Sequence, residues 1–414
     1  MSGAVLVLNC GSSSIKYELL RPREGARVAR GLVERIGEGS AAVRHVHAGA
    51  TTSREEALPT HRDALRTVLG LFDEAGPPLA EAGVVAVGHR VVMGGRRFDR
   101  PTLIDEEVVA TIDRLSPLAP LHNPPNLAGI TVARELLPGV PHVAVFDTAF
   151  FHDLPPAAAT YAIDRATAEA HGIRRYGFHG TSHRWVSRRG PEAIGRGPDG
   201  LRQVILHLGN GASASAVVDG APVDTSMGLT PLEGLVMGTR GGDIDPGVLL
   251  HLHRAAGMGV DEIDDLLNRR SGLKGLSGRN DMREVRRLAE AGDADARLAL
   301  DVAAHRLRKY VGAYAATMGG IDLLAFTGGI GENDAATRAA TAEGLGFLGV
   351  AVDPARNAAP GDGPRRISPD GAAVDVLVVP TDEELAIALD TMAVVEGAAD
   401  PATAGAAAAA TPPA

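Results

Sequence analysis

The 414-residue chain contains a single cysteine, Cys10, and this scarcity excludes two kinds of stabilising site. One cysteine cannot form an intrachain disulfide, and a cysteine-rich structural zinc site is excluded with it. Long hydrophobic runs are also missing, because nowhere do about 18 apolar residues follow one another. No basic segment precedes an apolar run at the N-terminus. We therefore expect no membrane span and no signal peptide, and hence a cytoplasmic protein.

Positive charge is also in short supply. The chain has 41 basic side chains against 51 acidic ones, and only three of the basic residues are lysines. The net charge of -10 argues against nucleic acid or an anionic membrane as the main partner, since both attract basic surfaces. The phosphate-binding sequence GxxxxGK[ST] is missing too, so any phosphate has to be bound by turns of another kind. With 45% hydrophobic residues the chain can fill globular cores, and we expect small-molecule partners.

What the chain does contain is a repeated strand and turn. Four residues of Val5–Lys16 recur in Ile205–Ala214 at an offset of 200. A strand that ends in a Gly, Ser and Asn turn offers backbone N–H groups, hydroxyls and amides to an anion. We interpret the repeat as one unit used twice, with two turns that face each other across a cleft and grip a polyphosphate. The repeated pairs are Leu6 and Leu206, Leu8 and Leu208, Gly11 and Gly211, and Ser13 and Ser213.

Short β-rich runs alternate with longer helical patterns, which predicts an α/β class. Apolar residues alternate from Ile15 to Leu19, so the first turn joins two antiparallel strands and does not open a helix. The predicted strands are Ala4–Leu8, Ile15–Leu19, Val84–Val87, Val143–Phe146, Val204–Leu208, Leu323–Phe326 and Val374–Val379. The predicted helices are Glu55–Ala75, Asp105–Leu115, Asn126–Leu136, Asp261–Arg269, Asp293–Met318 and Glu383–Val395.

A domain boundary is predicted near 151–156, where one series of strands and helices ends before a second begins. The last helix follows a strand and is predicted to return to the first domain. The first domain is therefore residues 1–151 with 384–398, and the second is residues 152–383. Residues 399–414, rich in Ala, Pro and Thr, are predicted to be a disordered tail.

Two segments carry groups that bind phosphate. Asn9–Lys16 supplies an amide, a glycine turn, three hydroxyls and an ammonium, which suit a magnesium-bound polyphosphate. A polar hairpin without a ligand is the alternative. The Gly-rich run Asp224–Gly247 predicts a working loop, in which Arg240 is suited to the charge of a transferring phosphoryl group. Its alternative is an ordinary surface arginine.

Single residues after strands are further candidates. Arg90 is suited to a bidentate grip on a carboxylate or phosphate. Asp147 lies just past a buried strand, which is a common position for a site residue, but it could equally cap a helix. His179 and His183 are four apart, yet Gly180 stands where a zinc motif needs glutamate, so a phosphate contact by His179 is favoured over zinc.

Two glycine-rich or acidic turns complete the candidates. Thr327–Asn333 joins a strand to a helix, so its N–H groups and helix dipole could meet a nucleotide. Thr381 and Glu384 have the spacing of a helix capping box. Glu383, between them, is a candidate for holding Mg²⁺ through water.

Taken together, these segments resemble the acetate kinase family, in the superfamily of acetate and sugar kinases, heat-shock chaperones and actin. The similarity covers about residues 4 to 397. The matching segments, in the family's order, are NCGSSSIK, GHRVV, LHNPPN, VFDTAFFH, YGFHGTSH, HLGNGAS, DTSMGLTPLEGLVMGTRGGDIDPG, NDMR, FTGGIGEN and PTDEEL.

The resemblance implies two similar domains, each a mixed sheet flanked by helices, around a central ATP cleft, and a homodimer. It implies reversible transfer of the ATP γ-phosphate to acetate, giving acetyl phosphate and ADP. ATP and ADP are then co-substrates and Mg²⁺ is the metal, with Mn²⁺ as the alternative.

The resemblance also implies roles for individual residues. The catalytic positions are Asp147, Arg90, His179 and Arg240. The acetate-binding positions are Arg90, Val92, Leu121, His122 and Pro231, and the metal positions are Asn9 and Glu383. The ATP-binding positions are Lys16, His207, Leu208, Gly209, Asn210, Gly211, Asp281, Met282, Arg283, Gly329, Ile330, Gly331, Glu332 and Asn333.

The chain departs from the family pattern at two positions. Met93 replaces a histidine, and Asp382 replaces an asparagine next to the proposed magnesium position. The second change adds negative charge there, so metal preference is expected to differ.

Three alternatives stay open. Direct in-line transfer competes with a phosphoenzyme on Glu383 or another carboxylate. A nucleotide-operated binding module of the chaperone or actin type, without a small acceptor, is a different class of function. A regulatory pseudokinase is disfavoured because every charged catalytic position is filled.

Overall fold

The structure, a computed structural model, describes residues 3–398, so the tail predicted for residues 399–414 lies outside the described residues. The described chain divides into two compact units. Residues 3–152 and 382–398 form the N unit, and residues 153–381 form the C unit. Glu383 therefore belongs to the N unit and not to the second segment. Among the helices of residues 3–398, none has the length and apolar composition needed to cross a membrane.

The described residues form fourteen strands and sixteen α-helices. The strands are β1 Ala4–Cys10, β2 Ser14–Arg21, β3 Ala26–Glu34, β4 Ala41–His47, β5 Ala50–Glu56, β6 Val84–Val91, β7 Thr102–Leu103, β8 His142–Phe146, β9 Arg202–Leu208, β10 Ala212–Val218, β11 Ala221–Thr225, β12 Leu323–Thr327, β13 Arg365–Arg366 and β14 Asp375–Val378. The helices are α1 His61–Ala75, α2 Leu79–Ala82, α3 Glu106–Leu115, α4 Asn123–Leu136, α5 Pro156–Ala159, α6 Arg165–Ala170, α7 Gly180–Ala193, α8 Pro246–Ala256, α9 Val260–Arg269, α10 Gly272–Ser277, α11 Met282–Glu290, α12 Ala294–Met318, α13 Gly328–Asn333, α14 Ala335–Ala342, α15 Pro354–Ala358 and α16 Glu383–Ala398.

Each unit contains one mixed sheet flanked by helices, which confirms the predicted fold class. The N-unit sheet has the order β5-β4-β3-β2-β1-β6-β8-β7, and the C-unit sheet has the order β11-β10-β9-β12-β14-β13. In both, an antiparallel meander leads into two parallel strands and a short antiparallel edge strand. The six strands of the C-unit sheet thus match six of the eight in the N-unit sheet, position by position.

The two repeated turns are both hairpins, as the alternation after the first turn predicts. In the N unit, β1 and β2 pair up to Cys10↔Ile15, and in the C unit, β9 and β10 pair up to Leu208↔Ala212. The second turn is therefore one residue shorter. Ser13 consequently lies in its turn, whereas its repeat Ser213 lies within strand β10.

One predicted helix starts too early. The prediction places Glu55 and Glu56 in a helix running to Ala75, but they pair in β5 with Ala42 and Ala41 of β4. The helix α1 begins only at His61, where the Thr60 side chain accepts the Asp63 N–H. Periodicity alone fails here because β5 alternates exposed and half-buried residues, and Pro59 is the local signal of the break. The other five predicted helices begin and end within three residues of the observed bounds.

The alternation in β1 determines how the N unit is layered. Leu6 and Leu8 pack into one buried cluster with helix α1, while Val5 and Val7 pack against Ile387 and other residues of α16. Each fully buried aliphatic side chain contributes about 1.5–3 kcal/mol, so burial against the sheet holds α16 in place. This packing fixes the start of α16, and therefore Glu383, within the N unit.

Candidate functional site

Two predicted catalytic residues of the N unit form a direct pair at the ends of parallel strands. Arg90 is near the end of β6, and Asp147 directly follows β8. The guanidinium donates from Nε to Asp147 Oδ1 at 3.0 Å and from Nη2 to Oδ2 at 2.7 Å. The Asp147 side chain is 2% exposed and that of Arg90 is 20% exposed. Asp147 therefore orients an arginine and does not cap a helix.

The charges around Arg90 keep it firmly protonated. Burial alone would lower the pKa of Arg90, but the carboxylates of Asp147 and Glu383 raise it. The arginine is thus a permanent cation held in one orientation by a buried carboxylate.

Glu383, the first residue of α16, is a partly exposed carboxylate in poorly hydrated surroundings. Burial raises the pKa of Glu383 to about 7; Asp147 and Glu384 add to the rise, whereas Arg90 and Lys16 oppose it. The surrounding cations therefore do not fully compensate its charge. An added cation at this position would be stabilised by the carboxylate.

Asn9 and Lys16 are directly opposite each other in the β1–β2 hairpin. The Lys16 Nζ donates to Glu384 and lies 4.0 Å from Glu18 Oε1. Its side chain is 48% exposed, so the ammonium is paired but accessible. Asn9 is half-buried at the end of β1.

The unusual Asp382 is paired with a cation of the same unit. Its Oδ1 accepts from Arg27 Nη2 at 2.6 Å and from the backbone N–H of Leu385 at 3.1 Å. Arg27 also donates from Nε to Glu18 Oε2 at 3.0 Å. The extra negative charge expected at this position is therefore balanced, and Asp382 caps the start of α16.

The capping box that the spacing predicts at the start of α16 is not formed by Thr381. The Thr381 hydroxyl donates to Ser182 Oγ at 2.8 Å, and Glu384 accepts from Lys16. Met93, the other departure, is fully buried, and its N–H donates to Asn123 Oδ1 at 3.0 Å.

The predicted acetate-binding residues differ in exposure. Val92 is 7% exposed, and its backbone N–H donates to Asn126 Oδ1 at 3.1 Å. Leu121 is 38% exposed, and His122 is the N-cap residue of α4. Pro231 belongs to the C unit, where its carbonyl accepts from Arg240.

Arg240 is a cation of the C unit without a carboxylate partner. Its Nη1 donates to Pro231 O at 2.6 Å, and burial lowers the pKa of Arg240 to about 10. Across residues 3–398 we find no ion pair to this guanidinium. The side chain is half-buried, and a poorly hydrated cation without a counter-ion is costly in isolation, so this arrangement favours an anionic ligand. The alternative of an ordinary surface arginine is not what the structure shows.

Gly211 explains how Arg240 and His179 come together. A Cβ at Gly211 would lie 2.6 Å from Arg240 Nη2 and 3.4 Å from His179 Nε2. The glycine of the second repeated turn therefore leaves room for two of the predicted catalytic groups. In the first turn, a Cβ at Gly11 would meet only Ser14.

His179 has a defined backbone and ring position. It adopts the left-handed conformation, with φ 56° and ψ 27°, directly before α7. Its ring stacks on His207 with centroids 4.5 Å apart, and its Nδ1 lies 2.9 Å from Ser213 Oγ. Ser213 Oγ also lies 2.7 Å from His183 Nε2, so the two histidines share a hydroxyl.

A cavity of about 850 Å³ lies within the C unit and collects most of the predicted ATP-binding residues. Those that line it are Gly209, Asn210, Asp281, Met282, Arg283, Gly329, Ile330 and Asn333. Asp281 caps α11 and accepts from Arg283, whose hydrogen bonds lower the pKa of Asp281 to about 2. The cavity is large enough for a nucleotide.

The remaining predicted ATP-binding residues do not line this cavity. They are Lys16, His207, Leu208, Gly211, Gly331 and Glu332. Glu332 has a supporting role, because its Oε1 accepts the N–H groups of Gly328 and Thr381 at 3.0 and 3.1 Å. Gly331 offers its carbonyl to the buried Arg338 at 2.9 Å.

The sequence interpretation missed five lining residues, Asn280, Arg286, Arg287, Glu290 and Asp334. Spacing offered one signal. Arg283, Arg286 and Arg287 are three and four apart along α11, so they share a helix face. Arg286 is fixed there by Asp334, with Nη2 and Oδ2 2.6 Å apart.

Comparisons with known proteins show the family of the chain. The chain matches the acetokinase family over residues 4–389. It is 59% identical to an acetate kinase of Leifsonia xyli over 385 residues, which is 93% of this chain and 97% of that protein. An acetate kinase of Streptomyces avermitilis is 57% identical, with 94% and 97% covered.

Solved structures give the same answer. The acetate kinase of Porphyromonas gingivalis superposes with a TM-score of 0.90 at 44% identity, covering 95% of this chain and 100% of that one. A propionate kinase of Francisella tularensis gives 0.90 at 40% identity with the same coverage. The matches span both units and all the segments that carry the candidate site, and the chain belongs to the acetokinase family.

Proposed function

We propose that this protein transfers the γ-phosphate of ATP to acetate, reversibly, giving acetyl phosphate and ADP. The observation that carries the proposal is Arg240, a half-buried guanidinium without a carboxylate partner among the described residues, next to His179 and Gly211. A transferring phosphoryl group is the anion that such a donor set suits. The acetate kinases of Leifsonia xyli and Streptomyces avermitilis, at 59% and 57% identity, support the same reaction.

Acetate is a competent nucleophile without deprotonation, because a carboxyl group is ionised at neutral pH. One carboxylate oxygen attacks the γ-phosphorus and forms a new P–O bond. The bond from the γ-phosphorus to the bridging oxygen breaks, and its electron pair leaves on that oxygen as part of ADP. The barrier comes from bringing two anions together. Arg90 would hold acetate while Arg240 and His179 take up charge on the transferring group. Asp147 then acts by orienting Arg90.

The metal is part of the proposal. Among residues 3–398, no group of three or more His, Cys, Asp or Glu side chains is arranged to hold an ion. Mg²⁺ needs fewer protein ligands, because it keeps several waters and binds through one or two carboxylates and the substrate phosphates. The incompletely compensated Glu383 carboxylate and the Asn9 amide fit that requirement, and Mg²⁺ would supply charge neutralisation on the triphosphate. Mn²⁺ is the alternative metal.

The experiment is a hydroxamate assay with ATP, Mg²⁺ and acetate. Formation of acetyl phosphate supports the proposal. ATP loss without acyl phosphate would favour a nucleotide-operated binding module instead.

Direct transfer is separable from a phosphoenzyme by stereochemistry. ATP with a chiral γ-phosphate should give inverted acetyl phosphate after a single transfer. Retention would favour a phosphorylated carboxylate such as Glu383 as intermediate.

Acetate is proposed over longer acids because Val92 matches a sequence position that contributes to the acetate methyl pocket in the family. The similarity to a propionate kinase makes this choice testable. Val92→Ala should gain on propionate relative to acetate, by about tenfold for one methylene of room. An unchanged ratio of kcat/KM values would remove Val92 from the pocket.

We also propose a homodimer in the cytoplasm. The support is helix α8, whose residues all belong to the described part of the chain. None of them is buried, although α8 carries the apolar residues Val248 and Leu250, and Leu250 is 53% exposed. Val260, 80% exposed, begins the next helix. Leu250→Glu should shift the mass in light scattering towards the monomer, and an unchanged dimer would move the interface elsewhere.

A further inference from the structure

A hydrogen-bonded chain inside the C unit ends at His179. Ser215 Oγ lies 2.7 Å from His183 Nδ1, and His183 Nε2 lies 2.7 Å from Ser213 Oγ. Ser213 Oγ in turn lies 2.9 Å from His179 Nδ1. Ser215, His183 and Ser213 are each 0% exposed, so solvent does not reach these three members.

The elements explain why these groups meet. His179 and His183 are four residues apart at the start of α7, one in the residue before the helix and one in its first turn. Ser213 and Ser215 are two apart in β10 and therefore point to the same face of the sheet. The spacing of two histidines by four and two serines by two is visible in the sequence, but only the fold brings them together.

The number of available hydrogen atoms limits the directions in which these hydrogen bonds can run. Burial, with a contribution from His207, lowers the pKa of His183 well below its usual range, so this ring is neutral and carries one N–H. Ser213 has one O–H and two ring nitrogens beside it. If both rings donated to Ser213, its own buried hydrogen would have no acceptor in this chain of groups, which is unfavourable. The hydrogen bonds therefore run in one direction through all the members.

Two directions satisfy this count, and the proposed anion distinguishes them. If the hydrogens run from His179 to Ser215, a neutral His179 keeps its N–H at Nδ1 and presents a lone pair at Nε2. If they run from Ser215 to His179, Nδ1 accepts from Ser213 and the N–H is at Nε2. Nε2 is the nitrogen beside Gly211 and on the same side as Arg240. For a neutral His179, only the second direction offers a donor to phosphoryl oxygens.

We propose that Ser213, His183 and Ser215 are positioning residues that hold His179 in the tautomer with hydrogen on Nε2. His179 is then a donor to the transferring phosphoryl group without having to carry a positive charge, which Arg240 already supplies. Stacking on His207 fixes the ring from one side, and the His207 ring is anchored by Ser182, with Nδ1 and Oγ 2.8 Å apart. The inference rests on the proposed phosphoryl transfer.

The first measurement is the tautomer itself. Full-length protein labelled with ¹⁵N-histidine gives separate nitrogen resonances for each ring in long-range ¹H–¹⁵N spectra, and His179→Gln assigns the ring of interest. We expect the Nδ1 of His179 to resonate as an unprotonated nitrogen and Nε2 as a protonated one. The opposite pattern in the wild-type protein would overturn the proposal, whatever the variants do.

The second measurement is kinetic. Ser213→Ala should lower kcat for acetyl phosphate formation by at least about tenfold, because His179 then populates both tautomers, while the KM values change by less than about twofold. Ser213→Thr, which restores the hydroxyl, should recover most of kcat. Unchanged kcat in Ser213→Ala would contradict the role.

Two further proteins keep the test decisive. Ser187→Ala removes another fully buried serine hydroxyl of the C unit, one that donates to Arg184 O at 2.9 Å, and should leave both the spectrum and kcat unchanged. Ser215→Ala acts at the far end of the chain and replaces Ser213→Ala if that variant does not fold. If wild-type protein makes no acetyl phosphate, the proposed function fails; if it does but His179 has the other tautomer, only this inference fails.

Discussion

The N unit and the C unit share a strand order but differ in the charge balance of their candidate catalytic side chains. In the N unit, the cations Lys16, Arg27 and Arg90 all have carboxylate partners. In the C unit, Arg240 is half-buried near His179 and, within the described chain, has no carboxylate partner. The two units are similar in topology, but they differ in which charged side chains lack a partner of opposite charge.

That difference favours a metal cation near Glu383 in the N unit and an anion at Arg240 in the C unit, in addition to the acetate proposed at Arg90. Around Lys16, Arg27 and Arg90 in the N unit there are five carboxylates, namely Glu18, Asp147, Asp382, Glu383 and Glu384. This surplus favours a divalent cation, while the unbalanced guanidinium of the C unit favours an anion. The side chains at the strand ends, and not the sheets, therefore decide what each unit binds.

The largest expected effect is on Arg240. Arg240→Met keeps much of the side-chain volume and removes the charge, so kcat for acetyl phosphate formation should fall about 10³-fold. Arg240→Lys should recover only part of this, because an ammonium lacks the planar fork. Steady-state kinetics measure both. Arg356→Met, at an exposed pair with Asp370, should be as active as wild type.

The paired arginine should behave differently. Arg90→Met leaves Asp147 buried and uncompensated, so the free energy of unfolding should fall by about 3 kcal/mol in addition to the loss of acetate binding. Urea unfolding measures this. The double variant Arg90→Met with Asp147→Asn should recover stability but not activity. Equal stability of Arg90→Met and wild type would show that the ion pair of Arg90 with Asp147 does not stabilise the fold.

Substitutions at Gly11 and Gly211 test whether the two repeated turns have different roles. Gly211→Ala places a methyl 2.6 Å from Arg240 Nη2, so the guanidinium has to move, and kcat should fall about tenfold or more. Gly11→Ala meets only the Ser14 hydroxyl at 3.0 Å and its carbonyl, and should cost less than about threefold. Both glycines have ordinary φ values, so backbone strain does not interfere. Equal losses of kcat in the two variants would contradict the inference that the two turns differ in their contacts with catalytic side chains.

The sequence predicted seven of the fourteen described strands, the hairpin character of the first turn and six of the sixteen described α-helices, because alternation and periodicity are local. It misassigned residues 55–60, since the strand β5 exists only through its pairing with β4. Local pattern also could not show that Ser13 and Ser213, identical in the repeat, occupy a turn and a strand.

For the candidate site, the sequence suggested individual residues but not their charge balance, and it missed five residues that line the cavity of the C unit. The pairing of Asp382 with Arg27 joins residues 355 positions apart, and no spacing rule indicates it. Arg286 and Asp334 line the nucleotide cavity for the same reason, because helix α11 and the start of α14 meet only in the folded C unit. The shared hydroxyl of Ser213 is a third example.

The smallest expected effect concerns buried imidazoles. In the N unit, His89 and His142 are 2.9 Å apart, and burial lowers the pKa of both, most strongly for His89. The unfolded chain therefore binds protons first as the pH falls below about 6.5, so stability falls with decreasing pH there. His89→Leu should lessen this slope by up to about 1.4 kcal/mol per pH unit in urea unfolding between about pH 7 and pH 5. The exposed His305→Gln should leave the slope unchanged.

The claim that Arg240 is held ready for an anion is tested most directly by the free energy of unfolding of Arg240→Met in the absence of ligand. Removing a half-buried cation that has no counter-ion, and whose charge is disfavoured by its surroundings, should leave this free energy equal to that of wild type or higher, although activity is lost. A loss of about 3 kcal/mol, like that expected for Arg90→Met, would show that Arg240 is a structural residue and would contradict the account.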